Sequence, residues 1–178
     1  MLKKCLFLSF LFLLSFTCCF AQSEPDFKLY DQAIELEGTD INGAIAKYNE
    51  IIKINPDLIE AYIALGRCYR KAKDYDNAIK IYNHLLTIKG DFLLAYEELG
   101  WIYLDKNQTT KSLEYFQKAW TIAPDNNYIE ACLGLIYIEK RFYNIGISHC
   151  NRALTINRDC VPAYNNLSRA YYRQDKID

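Results

Sequence analysis

Along most of this chain, apolar residues recur at helical spacing in blocks of about a dozen residues, separated by short polar breaks. The block YDNAIKIYNHLLTIKG, from residue 75, puts Ala78, Ile79, Tyr82, Leu85 and Leu86 on one helical face. INGAIAKYNEIIKINP from 41, TTKSLEYFQKAWTIAP from 109 and YNIGISHCNRALTINR from 143 repeat that pattern. A second kind of block alternates with the first. It reads AYIALGRCY at 61–69, AYEELGWIY at 95–103, IEACLGLIY at 129–137 and AYNNLSRAY at 163–171. Both series step by 34 residues without insertion or deletion. The breaks KAKD, DKNQ and EKRF leave room only for tight turns. The pattern therefore predicts an all-α protein of antiparallel helix pairs, two helices to each repeat.

A glycine inside a helix costs roughly 1 kcal/mol relative to alanine, so the central glycines need a compensating role. Gly66, Gly100, Gly134 and Ser168 share one register of the first helices, and Ala44, Ala78, Ser112 and Gly146 share one register of the second. Small residues at matching places on two antiparallel helices allow a close approach of their backbones.

These residues resemble the tetratricopeptide repeat (TPR) pattern, W-x2-L-G-x2-Y followed by A-x3-F, A and P. The best match is Tyr96, Leu99, Gly100, Tyr103, Ser112, Phe116, Ala119 and Pro124; the repeat before it keeps Tyr62, Leu65, Gly66, Tyr69, Ala78 and Tyr82. The next keeps Leu133, Gly134, Tyr137 and Ala153 but has Glu130, Gly146, Cys150 and Arg158 at other signature positions. The resemblance implies a TPR α-solenoid, a right-handed superhelix of helix pairs. Its units are residues 25–58 (whose first helix, roughly Asp26 to Glu37, lacks the Leu-Gly pair), 59–92, 93–126 and 127–160, then a capping helix or truncated fifth repeat over 161–178.

Residues 1–21 stand apart. A basic start (MLKK), an apolar run (CLFLSFLFLLSF) and Cys19-Phe20-Ala21 have the order of a secretory signal peptide cleaved after Ala21. The apolar run falls short of the roughly 20 residues that span a bilayer. Cys18 and Cys19 lack the usual leucine-containing context of a lipidated cysteine. The expectation is export to the periplasm or envelope of a Gram-negative bacterium, with no integral membrane span after cleavage. Net charge is −1 for the whole chain and −3 for residues 22–178, which gives no global attraction to nucleic acid. Cleavage leaves Cys68, Cys132, Cys150 and Cys160, whose spacing has no metal-ligand form. Buried free thiols are the favoured reading and disulfides the alternative.

Motifs of catalysis are missing: no phosphate-cradling Gly-rich loop, HExxH, GxSxG or CxxC occurs. His84 and His149 have no metal or triad partner at local spacing and read as solvated helix residues; Glu97 and Glu98, adjacent on a helix, point about 100° apart. Neither an enzyme nor a cofactor is expected.

In the family the first helices line a concave groove, so the resemblance implies that a partner protein or peptide binds there. The corresponding positions give an apolar strip of Leu94, Trp101, Leu104, Leu135 and Ile138, bordered by Arg67, Arg70, Arg169 and Arg173. Tyr128, Ala131, Cys132, Asn165 and Asn166 fall at further groove positions. The family's clamp for a terminal carboxylate is not matched, since Ile63, Arg67, Leu94, Glu98 and Cys132 stand at its positions. Trp101 lies off the Tyr96-Leu99-Tyr103 face, so it is either a groove anchor or a core residue. The leading expectation is a scaffold or adaptor binding a segment with apolar anchors and acidic flanks. The alternatives are a structural subunit of an envelope assembly or secretion complex and, third, an accessory domain of an enzyme system.

Overall fold

The computed structural model describes residues 28–175; the expected signal segment, its expected cleavage site and the last three residues lie outside the described residues. Within that range the chain is helical, without strands, and falls into two compact units that meet in sequence at Asp74 and Tyr75. The first unit holds α1 (28–36), α2 (Ile41–Ile54) and α3 (Ile59–Lys71). The second holds α4 (Tyr75–Ile88), α5 (Leu93–Asp105), α6 (Thr109–Ile122), α7 (Asn127–Glu139), α8 (Tyr143–Ile156) and α9 (Val161–Gln174). The second helices begin where the polar breaks end, at 41, 75, 109 and 143.

The turn inside the second, third and fourth repeats is a recurring device. Lys73, Asn107 and Arg141, each 34 residues from the next, adopt left-handed backbone with φ of 61°, 57° and 64°. Each donates its N–H three residues back, and the following residue donates five back: Asp74 to Tyr69, Gln108 to Tyr103 and Phe142 to Tyr137, at 2.8–2.9 Å. This is the Schellman closure, which satisfies the last carbonyls of the first helix and ends it. Other ends are capped by side chains: Asp40 accepts from the Gly43 N–H, and Asn126 from those of Tyr128 and Ile129.

Packing in the second unit follows from the missing side chains. A Cβ on Gly100 would lie 2.5 Å from the Phe116 ring, so the ring of α6 occupies the space the glycine leaves on α5. Between α7 and α8 the contact is tighter. A Cβ on Gly134 would meet Cys150 Sγ at 2.5 Å and the Gly146 carbonyl at 3.0 Å, while one on Gly146 would meet Ile138 Cγ1 at 2.6 Å. Backbone therefore rests on backbone there. α7 touches α6, α8 and α9, and eight of its residues are buried against three each in α6 and α8. That is why its sequence is apolar nearly all round.

In the first unit, α1 buries Ala33 and leaves Asp31 and Gln32 exposed at the places where later repeats bury Leu-Gly. Tyr30 meets the Tyr48 ring edge-on at 5.5 Å. The buried Tyr48 hydroxyl donates to Glu37 at 2.7 Å, and Lys71 of α3 closes on the same carboxylate at 3.2 Å.

Two stability changes follow. Gly100→Leu would force the Phe116 ring aside and cost roughly 1–3 kcal/mol or more, whereas helix propensity alone predicts a gain; urea unfolding decides the sign. Arg141→Gly, or Lys73→Gly, removes the left-handed strain of a residue with a Cβ and raises stability by roughly 1 kcal/mol. A lowered unfolding midpoint for either glycine variant would contradict that account of the turns.

Candidate protein-binding cleft

Three first helices, α5, α7 and α9, surround a cleft of about 290 Å³. From α7, Ala131 and Cys132 form a buried floor, with half-buried Leu135 and partly exposed Tyr128 on the walls. From α5 comes Trp101. From α9 come Pro162, Asn165, Asn166 and Arg169. The Asn166 amide, itself buried, donates to the Ala131 carbonyl at 2.9 Å and pins α9 on α7. Asn165, next to it, is exposed and presents a donor and an acceptor at the mouth. An apolar basin with a few convergent polar groups is the usual form of a recognition site.

Trp101 answers to part of each reading. One face of its indole meets the Phe116 ring edge-on at 5.4 Å, its Nε1 donates to the Tyr128 hydroxyl at 2.9 Å, and the rest lines the cleft. Burial pushes the Tyr128 phenol up to about 12, with Cys132 adding to the rise. Burial likewise pushes the Cys132 thiol up, so both groups are neutral at physiological pH and the floor is uncharged.

Of the residues expected in the groove, Trp101, Leu135 and Arg169 come together here. Ile138 does not: it is fully buried, because Gly146 leaves a hole on α8 that its side chain fills. Leu94 and Leu104 are half-buried on α5 outside the cleft lining. The basic border is also weaker than its residue count. Glu139 on α7 accepts from Arg169 at 3.1 Å and from Arg173 at 2.8 Å, so one carboxylate offsets one of the two guanidinium charges. Arg67 (exposed) and Arg70 (half-buried) lie on α3 in the first unit. Pro162 was not anticipated, although it stands at the second position of its repeat, one of those that face the groove in the family.

One further correction and one unforeseen residue concern polar groups behind the cleft. Glu130 is fully buried at the position where two earlier repeats carry Tyr62 and Tyr96. Its carboxylate accepts from Trp120 Nε1 at 2.8 Å and pairs with Arg152 Nε at 3.0 Å. His149 is not a solvated residue: its Nδ1 lies 2.7 Å from Glu130 Oε2, and its ring stacks on Tyr137 at 5.3 Å. The sequence signal was Trp120, which replaces the Leu86 and Leu154 of neighbouring repeats. The four described cysteines are free and buried; Cys160, at the start of α9, points its Sγ toward the Asn127 carbonyl.

Residues 35–99 and residues 93–126 each match a family model of the tetratricopeptide repeat, and together the matches span just over half of the chain. The chain is thus built of tetratricopeptide repeats, which are scaffolds for protein–protein interaction. No curated protein matches it significantly in sequence. Among solved structures it is similar to MamA from Desulfovibrio magneticus RS-1, at 23% identity and TM-score 0.65 over 76% of this chain and 77% of that one. A thermophilic TPR protein from Thermus thermophilus superposes with TM-score 0.68 at 17% identity, covering 84% of this chain and 82% of that one. A tetratricopeptide repeat protein from Parabacteroides merdae gives TM-score 0.72 at 16% identity, covering 86% of this chain and 62% of that one. At such identities the likeness establishes the fold alone.

Removing the Glu130 carboxylate takes away the acceptor of the Trp120 N–H and the partner of His149 Nδ1, while Arg152, about half exposed, keeps the Pro124 carbonyl and Asp125. Glu130→Ala is expected to cost roughly 1–3 kcal/mol, and Glu130→Gln less, because its amide oxygen still accepts from Trp120. Chemical denaturation measures both. An unchanged midpoint in Glu130→Ala would mean that this network does not hold α6, α7 and α8 together.

Proposed function

We propose that this protein is a non-catalytic interaction module of the Gram-negative cell envelope, which takes an apolar segment of a partner protein into the cleft between α5, α7 and α9. The observation that carries the reading is the company of Trp101 and Leu135 with Asn165 and Arg169 around one neutral, apolar floor. An aromatic or aliphatic side chain of the partner fills the basin, Asn165 is placed to bond its backbone, and Arg169 favours an acidic neighbour. With Glu139 offsetting one arginine, the anchor supplies most of the affinity and the charge mainly the association rate. Among the described residues no helix is long and apolar enough to cross a membrane. Placement in the envelope rests on residues 1–21, and intact mass of the exported protein should lack them. The second reading, a structural subunit of an envelope assembly, draws support from apolar side chains exposed along α9.

The test is co-purification from envelope extracts followed by binding measurements with cleft variants. Leu135→Arg should weaken the partner at least tenfold while leaving helical content and melting temperature nearly unchanged. Trp101→Ala should weaken it as much and also lower stability, because the indole packs on Phe116. Full affinity in a well-folded Leu135→Arg protein would end the cleft reading.

A further inference from the structure

On the side of α5 and α7 the cleft is lined by Trp101, Tyr128, Ala131, Cys132 and Leu135. Ala131 and Leu135 bring no polar side-chain atom. The other three do, and those atoms are turned on one another. Trp101 Nε1 donates to the Tyr128 hydroxyl at 2.9 Å, and the same hydroxyl is bonded to the Cys132 thiol. The direction follows from the groups themselves. An indole N–H can only donate, so the phenol oxygen accepts from it and spends its own proton on the sulfur. The backbone is engaged too, since the Ala131 carbonyl accepts from the Asn166 amide at 2.9 Å.

The polar capacity of the cleft is therefore one-sided. Pro162 of α9 has no N–H, while Asn165 and Arg169 are exposed at the mouth, where they meet the backbone and flanks of a bound segment. A side chain that reaches the floor meets carbon, and a hydroxyl and a thiol already bonded to each other. A polar tip gives up its water on entering without a new hydrogen bond in exchange, a cost that an apolar tip does not carry.

We infer that the relay from Trp101 through Tyr128 to Cys132 makes the cleft selective for a partner segment whose anchor side chain has no polar tip: leucine, isoleucine, methionine or phenylalanine, and not tyrosine. This rests on the cleft reading and specifies its occupant. Tyr128 is the specificity-determining residue, because its one hydroxyl engages both the indole N–H and the thiol. Without that hydroxyl the Trp101 N–H loses this acceptor, and a tyrosine anchor brings a hydroxyl that can replace it. An apolar pocket rejects an added hydroxyl by about a hundredfold at most, which sets the scale of the effect.

The experiment selects a phage-displayed library of random peptides on the protein and then discards those that also bind Leu135→Arg. The remaining sequences should be rich in Leu, Ile, Met and Phe at one position and poor in Tyr there. The tightest sequence is then synthesised twice, with Phe and with Tyr as the anchor, and both forms are measured by fluorescence anisotropy. The protein should hold the Phe form about tenfold or more tightly than the Tyr form. Tyr128→Phe, checked by thermal melt, should narrow that ratio to about threefold or less. Equal affinity for the two peptides, or an unchanged ratio in Tyr128→Phe, would overturn the inference and leave the cleft reading standing. Peptides indifferent to Leu135→Arg, or no enrichment at all, would sink the cleft reading and this inference with it.

Discussion

The distance of closest approach between the two helices of a repeat governs the rest of this structure, and missing side chains set it. Gly134 and Gly146 put backbone against backbone, while Gly100 leaves room for the Phe116 ring. Each glycine costs roughly 1 kcal/mol in helix propensity, and burying a Phe or Ile side chain returns more than that. Once α7 is seated against α8, its remaining sides are free to meet α6 and α9, and the cleft is what remains between neighbouring first helices. In the second unit the left-handed turns at Asn107 and Arg141 serve the same end, since they bring α6 back against α5 and α8 back against α7.

Departures from the repeat pattern are offset locally, in pairs or small groups. Gly146 removes a side chain from α8, and Ile138 of α7 fills the volume, which takes Ile138 out of the binding surface. Glu130 replaces an aromatic residue with a carboxylate, and Trp120, Arg152 and His149 supply the volume and the donors that a buried charge requires. In the first repeat the Leu-Gly pair is lost, and burial shifts to Ala33 and to a Tyr48 hydroxyl bonded to Glu37. The 34-residue step survives these changes because each is compensated by residues in contact, without insertion.

Much of this was legible in the chain itself. The starts of the second helices could be read from polar breaks, because a turn of two or three residues leaves the helical period undisturbed on either side. The positions around the cleft could be read from register, because Trp101, Leu135 and Asn165 face the same way for the same geometric reason. What could not be read depends on contacts between helices distant in sequence. Arg169 and Arg173 look like a basic rim until Glu139, 30 and 34 residues earlier, is seen to accept from both. His149 looks solvated until α7 brings Glu130 to it from 19 residues away. Periodicity assigns a side chain to a face; it does not report which partner waits there.

The central claim is that the free sides of α5, α7 and α9, and not the second helices, hold the partner. Amide hydrogen exchange on the protein with and without its co-purified partner tests this most directly, because protection reports where a surface becomes covered or stiffened. The account predicts slowed exchange in α9, in the Leu135 segment of α7 and in the Trp101 segment of α5, with α6 and α8 unchanged. Slowing confined to α6 and α8 would contradict it.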